Sequence, residues 1–399
     1  MTLSLSQRFA SPARQFIGVH MAGLLVPVAA GVVAFGWRAL LCILLLMLGA
    51  AGGWAAWRLV GRRGRHVHLL HTLWLALLLA ALLPAHLAAD FIPGVEGPEP
   101  GILWPVLPAA GLALAALNWL LGGTAGGRIN PALICYLLVV VLVGAASLTP
   151  HLVLRREAAA TGDLLQYRRE PVAELAAKPW VSRGAAYETS AIWQIPASSR
   201  LSLYTVGLEQ PERRRFTLES LIRDRMPPME DLIVMGQPAP IGMCSAAALI
   251  TGGLFLIFRG VSDARIPVLS LAGAYLALMI APIPAAVTQE GPAWTWFPGL
   301  GGLLPSGRFH AVGWDVGLTF VHYELLAGPM LFIAFFLAPL PSLRPLAGHW
   351  RAWYALLLGA LMAIAQLYGS VAYGPFIALL AVSLLTPLVD RYTHAETLV

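Results

Sequence analysis

Two blocks of about five apolar segments each, parted by a polar stretch from His151 to about Ile233, restrict this chain to very few folds. The segments lie near residues 16–35, 39–60, 69–89, 102–121, 131–149, 240–258, 266–286, 315–338, 352–369 and 374–389. Runs of roughly 18 to 23 apolar residues are long enough to cross the ~30 Å hydrocarbon layer of a bilayer. In lipid the backbone must satisfy its own hydrogen bonds, and continuous apolar runs without a two-residue alternation do so as helices rather than barrel strands. With 58% hydrophobic and 12% charged residues, the chain has too little polar surface to cover a soluble globule of this size. An all-α integral membrane protein of about ten transmembrane helices is expected.

Arginine placement sets the orientation, because cytoplasmic loops retain positive charge. With the N-terminus inside, Arg8, Arg14, Arg62, Arg63, Arg65, Arg128, Arg259, Arg265, Arg344, Arg351 and Arg391 fall on the cytoplasmic side. The short outer loops then hold Arg38 and Arg308 against Asp90, Glu96, Glu99, Glu290 and Asp315. Both termini are expected in the cytoplasm and the insert outside. The net charge of +6 is largely this topological signal and implies no nucleic-acid partner. The first fifteen residues carry Arg8 and Arg14 without a small-residue cleavage site, so the first helix is expected to stay as an anchor.

The chain divides into a first membrane repeat at 1–150, a small extracytoplasmic polar insert at 151–233 and a second membrane repeat at 234–399. Five segments, an insert and five more suggest duplication, and an odd number per half would invert the second copy; such repeats place functional sites near the midplane. His68 and Pro84 bracket the third segment, as His322 and Pro339 bracket the eighth. Gly122-Gly123, Gly126-Gly127 and Asn130-Pro131 break the chain before the fifth segment, and Gly236 to Gly242 before the sixth. Such breaks are either helix N-termini able to hold an anion or plain tight loops. Within the insert, Arg155 to Glu174 has helical character and Thr189 to Val206 alternates like one or two short strands.

Ionisable groups inside hydrocarbon are costly and therefore candidates for function. Glu324 is the carboxylate clearly within a segment, with His322 two residues before it; that spacing does not share a helix face. An ion or proton pathway through Glu324 and His322 stands against a role in bonding a neighbouring helix. His20, His71, His86 and His322 raise the question of a bis-histidine haem, but His71 and His86 lie near opposite ends of one helix and haem is not expected. Cys42, Cys135 and Cys244 lie in or beside apolar segments without C-x-x-C spacing, as packing residues or, less simply, an iron–sulfur ligand lent to a partner. No metal site is expected. Trp37, Trp57, Trp104, Trp294, Trp296, Trp314, Trp350 and Trp353 suit an interfacial aromatic belt. In the insert, Arg213, Arg214 and Arg215 followed by Phe216 and Thr217 could grip a phosphate, or dock an acidic partner.

Several stretches resemble the RnfD/NqrB family of membrane subunits of Rnf and Na⁺-translocating NADH:quinone reductase complexes. The C-terminal run Leu367-Tyr368-Gly369, Tyr373 to Leu380, and Leu385-Thr386-Pro387-Leu388-Val389-Asp390-Arg391-Tyr392 is similar to the family's closing helix. Leu325-Leu326-Ala327-Gly328 with Ala334-Phe335-Phe336 resembles its L-L-S-G…A-F-F segment. Gly122-Gly123 through Asn130-Pro131-Ala132 and Arg265-Ile266-Pro267 match two further elements. The resemblance implies two inverted five-helix repeats, a fold shared with urea transporters, in a bacterial inner (cytoplasmic) membrane. It also implies other membrane and extracytoplasmic redox subunits as partners, and electron flow through flavin coupled to Na⁺ or H⁺ movement.

Family members attach FMN by a phosphoester to the Thr of a D-G-x-S-x-A-T-P-L motif, and Thr217-Leu218 holds about that place. Here Arg213, Arg214, Arg215 and Phe216 precede the threonine and no Asp-Gly pair lies upstream. The T-D-P after the eighth helix is replaced by Pro339-Leu340-Pro341, and the third helix opens with Arg65-His66-Val67-His68. The apolar scaffold is kept while these polar signatures differ. The leading reading is therefore a membrane subunit of such a redox complex, a scaffold with a flavin, quinone or ion path, and an electron relay rather than a catalyst by itself. A small-solute channel or carrier with a urea-transporter-like pore, and a structural anchor for an extracytoplasmic redox protein, are the alternatives.

Overall fold

The computed structural model describes residues 5–60, 68–85, 87–88, 104–122, 129–144, 216–217, 229–234, 239–288, 291–296, 302–303, 307, 309–310 and 313–396. Each of the ten apolar segments carries a helix: α1 Leu5–Phe35, α2 Trp37–Val60, α3 Leu69–Leu82, α4 Val106–Leu120, α5 Pro131–Val143, α6 Ala246–Phe258, α7 Arg265–Ile280, α8 Trp314–Ala327 continued by Met330–Leu337, α9 Gly348–Tyr368 and α10 Gly374–Glu396. Four stretches are long and apolar enough to cross a membrane: Gln15–Phe35, Trp37–Leu59, Gly348–Tyr368 and Gly374–Tyr392. The two legs of α8, bent by 59° at their junction, make a fifth if taken together. The other helices, of 13 to 16 residues, are apolar but shorter than a full crossing. Together these helices make a multi-pass membrane protein whose apolar side chains are buried between helices on one side and exposed on the other, as at Leu44, Leu48, Val141 and Phe258.

Local chemistry sets the boundaries. Asn130 accepts the Ala132 amide at 2.8 Å and Pro131 occupies the first turn, so α5 begins there. Ser245 accepts the Ala248 amide at 3.2 Å to start α6. Gly36 (φ 63°) joins α1 to α2 and Gly260 (φ 68°) leaves α6 toward α7, in a left-handed conformation that side chains resist.

The expectation of an all-α chain holds for the segments and fails just after the seventh. That segment, read as helical to residue 286, stops at Ile280 because Pro282 and Pro284 withhold amide donors and force Ala281 into an extended conformation (φ −65°, ψ 132°). The chain continues as β2 Ile283–Thr288 and β3 Gly291–Thr295, then β4 Gly302–Leu303 and β5 Phe309–His310. The insert supplies β1, Phe216–Thr217, so that an antiparallel five-stranded sheet runs in sequence order. Of the rest of the insert, a short helix at Met229–Val234 is described; the expected strands at 189–206 lie outside the described residues.

Two helix crossings carry the packing. At α2/α4, a side chain on Gly49 would strike the Pro108 backbone, and one on Gly111 the backbone of Leu46 and Ala50. At α7/α9, Gly273 meets the Leu356 backbone and Gly359 that of Ser270 and Ala274. The register is the same in both: the strike points lie three residues before each glycine, or one after. Close approach through small residues is how helices pack where no hydrophobic drive separates them from lipid. Between the halves, α1 and α6 touch back to back at Gly23 and Gly252.

Candidate functional site

The eighth segment departs from helical regularity twice, and both departures concentrate polar groups. At Gly328-Pro329 the proline has no amide to donate and its ring opposes the preceding turn, so the first leg ends at Ala327. Further on, Ile333–Leu337 forms a π-turn, with the Ala338 amide donating to the Ile333 carbonyl at 2.8 Å.

Glu324 is fully buried one turn before the first break. Gln366 of α9 reaches it, its Nε2 donating to the Glu324 carbonyl at 2.7 Å and to carboxylate Oε2 at 2.9 Å. The carbonyl can only accept, which fixes the orientation of the Gln366 amide. Its Oε1 points toward Gly328, where a side chain would collide with it, and is buried with no hydrogen-bond partner among the described residues. A glycine at the break is thus what lets the glutamine in.

His322, paired with Glu324 as a candidate in the sequence, lies on the exposed face; its Nδ1–H donates to the Leu318 carbonyl at 2.7 Å and its ring packs on Tyr275. The two candidates are not brought together, as a two-residue offset on a helix requires.

A second polar group joins α1, α3, α4 and the second leg of α8. Trp74 Nε1 donates to His20 Nδ1 at 3.0 Å, so His20 carries its proton on Nε2 and donates it to the Phe336 carbonyl at 3.1 Å. That carbonyl is available to His20 because the Leu340 amide turns to Leu337 instead. With both ring nitrogens engaged, His20 has no lone pair to offer a haem iron. One turn away, Asn118 Nδ2 donates to Thr72 Oγ1 at 3.1 Å, and Thr72 donates to the His68 carbonyl at 3.3 Å. Asn118 and His71 are also hydrogen-bonding neighbours. The approach lacks good geometry, and His71 Nδ1 and Asn118 Oδ1 are buried with no well-formed hydrogen bond among the described residues. His86 lies outside the described residues.

Thr217 is placed by its backbone alone, in β1 opposite Ala286 at the edge of the sheet. Arg213, Arg214 and Arg215 lie outside the described residues. At the breaks before α5 and α6, Asn130 and Ser245 each cap one amide of the helix they open, and the Ile241 amide of the turn ahead of α6 donates to the Leu83 carbonyl at 3.0 Å. Cys42, Cys135 and Cys244 are buried free thiols, and no cluster of metal-ligating side chains occurs among the described residues.

Where α7 and α9 begin, Arg351 donates to Asp263 Oδ2 at 3.2 Å and to the Pro345 and Leu346 carbonyls, while the Leu346 amide donates to Asp390. Burial raises the Asp263 carboxyl, but the Arg265 amide and the Arg351 guanidinium outweigh it and hold the pKa below its ordinary value.

The sequence reading found Glu324 and missed Gln366, Asn118 and Gly328. A screen for ionisable residues passes over carboxamides, yet an amide in an otherwise apolar helix is itself a signal of interhelical bonding.

A family model described as the NQR2, RnfD, RnfE family matches residues 10–398. A curated relative from Acetobacterium woodii, one of the subunits of the Na(+)-translocating ferredoxin:NAD(+) oxidoreductase complex, is 28% identical over 153 residues. That alignment covers 38% of this chain and 37% of the relative, so the chain spans little more than a third of that protein.

Proposed function

The chain belongs to the NQR2, RnfD, RnfE family, and on that premise we propose that it is a membrane subunit of an electron-transport complex in the bacterial cytoplasmic membrane, carrying part of a cation path. The ten segments form two inverted five-helix repeats, with both termini in the cytoplasm and the insert outside. What supports the repeat is the shared register of the α2/α4 and α7/α9 crossings, which a duplicated scaffold would inherit. Other membrane and extracytoplasmic redox subunits are its partners.

The observation that carries the cation reading is Glu324, fully buried at a broken helix and held by the Gln366 amide, whose carbonyl oxygen is left open. A carboxylate in that position costs several kcal/mol unless it is protonated or paired with a cation, and broken spans are where carriers place such sites. Glu324 and Gln366 would supply oxygens to a proton or a small alkali ion in place of water.

Flavin belongs to the proposal through Thr217 alone. Its hydroxyl would carry FMN as a phosphoester, which supplies one-electron transfer, and Arg213 to Arg215 would neutralise the phosphate. The altered residues before Thr217 speak against that attachment, and a fluorescent band in denaturing electrophoresis that vanishes in Thr217→Ala decides it.

The cation reading is tested on the complex purified with its partner subunits and placed in liposomes, with reduced ferredoxin as donor and NAD⁺ as acceptor. In Glu324→Gln the number of cations moved per electron falls at least tenfold. An unchanged ratio removes Glu324 from the path. Solute flux through the isolated chain, without partners, would favour the channel or carrier reading instead.

A further inference from the structure

The two polar groups described above occupy the same place in the two halves. Counting from the crossing glycines, Asn118 lies seven residues after Gly111 on α4, and Gln366 seven residues after Gly359 on α9. Each carboxamide is fully buried. Each donates from its nitrogen to the preceding partner helix of its own half, Asn118 to Thr72 of α3 and Gln366 to Glu324 of α8. Each leaves its carbonyl oxygen buried with no partner among the described residues.

The Gln366 orientation is not arbitrary, because it faces a carbonyl that can only accept. Asn118 takes the matching orientation opposite Thr72, whose hydroxyl donates to the His68 carbonyl. A buried acceptor without a donor is costly, and two at equivalent positions are not an accident of one site. The first half adds a protonatable nitrogen, His71 Nδ1, which makes no well-formed hydrogen bond among the described residues and has the Asn118 amide as its hydrogen-bonding neighbour. The second half has the Glu324 carboxyl as its protonatable group, held by Gln366.

We infer that His71, Thr72 and Asn118 form a second station for the cation that Glu324 and Gln366 hold, at the equivalent place in the first half of the chain. This rests on the cation path proposed above, and the inversion of the halves puts the two stations on opposite sides of the midplane. The ligand is a small monovalent cation stripped of water. A proton would bridge His71 Nδ1 and Asn118 Oδ1; an alkali ion would take the open Asn118 oxygen. His20, a turn away, is not part of the station because Trp74 and Phe336 occupy both of its nitrogens.

The test uses the whole complex in liposomes, driven by reduced ferredoxin and NAD⁺, with ²²Na⁺ uptake and an internal pH dye read against electrons transferred. Asn118→Leu keeps the volume and removes the open oxygen, and it lowers cations per electron at least tenfold; Asn118→Gln restores part of the ratio. Should Asn118→Leu fail to assemble, Thr72→Val, which frees the Asn118 amide with little change of shape, is read in its place. A fall in ²²Na⁺ alone identifies the alkali ion, and a fall in proton movement alone identifies the proton. An unchanged ratio in the first-half variants, with Glu324→Gln still lowering it, overturns the second station and leaves the first. An unchanged ratio in all of them overturns both, and slower electron transfer at a constant ratio also counts against the station.

Discussion

The α2/α4 and α7/α9 crossings are built alike, whereas the third and eighth segments that pack beside them differ beyond their proline breaks and in the groups their amide bridges meet. Gly49 and Gly111 meet backbone at the same offsets as Gly273 and Gly359, so each pair of helices approaches along the same line. Against this common frame, each segment breaks at a proline after a helix of 14 residues, α3 at Leu83-Pro84 and α8 at Gly328-Pro329; beyond the break the third goes on in 3₁₀ turns at 85 and 87–88, while the eighth turns through a π-step. The amide bridge in the first half ends on a neutral hydroxyl and in the second on a carboxyl. The glycine crossings and the proline breaks are alike in both halves; among the described residues, the buried carboxyl at an amide bridge and the π-step belong to the second.

The largest expected effect strikes the shared frame. Gly111→Val and Gly359→Val each drive a branched side chain into a neighbouring backbone, costing about 3 kcal/mol, roughly a hundredfold in the folded-to-unfolded ratio. Unfolding of the purified chain by denaturing detergent should show similar losses for the two. A loss at one crossing and tolerance at the other would break the equivalence on which the comparison stands.

Next comes the difference between the bridges. Gln366→Leu removes both hydrogen bonds that the amide donates to the buried Glu324, one to its carboxyl and one to its carbonyl, at a cost of about 2–3 kcal/mol. Asn118→Leu leaves two neutral groups, the Thr72 hydroxyl, which still donates to His68, and the neighbouring His71 ring, and costs about 1 kcal/mol. The same detergent unfolding measures both. Equal losses would mean that the carboxyl does not distinguish the second half.

Much of the frame was legible in the sequence because its cause is repeated along the chain. Every apolar run carries a helix, and the runs are apolar on all sides, so length and composition located them without any need of a face. What escaped was decided by single residues acting across the fold. Pro282 and Pro284 end α7 early and start a sheet completed by Phe216 and Thr217, nearly seventy residues upstream, and no local pattern announces that pairing. Glu324 was visible because charge is rare inside apolar runs; Gln366, which holds it, was hidden as a neutral residue in another helix. Its access depends on Gly328, whose role is a missing side chain. Family resemblance supplied the expectation of a flavin threonine, and the structure adds only that its backbone lies at a sheet edge.

The smallest effect lies at the joint between the first two helices of each half. Gly36 and Gly260 both turn the chain with positive φ, and each stands thirteen residues before its crossing glycine, Gly49 or Gly273. In the first half α2 begins at the next residue; in the second, Val261 to Ala264 intervene and bring Asp263 against Arg351. Because the Asp263 carboxyl sits below its ordinary value near 3.8, its contribution is complete above that pH and fades as the pH falls through the lowered folded value. The side chains are only partly covered, so the pair is worth no more than about 1 kcal/mol and weakens with salt. Asp263→Asn should therefore lower the melting temperature in detergent slightly at pH 7, and the difference from the native protein should shrink below about pH 4. A difference that persists undiminished in acid would mean that the aspartate acts through the Arg265 amide and the shape of the loop, and that the added joint in the second half is a matter of backbone rather than charge.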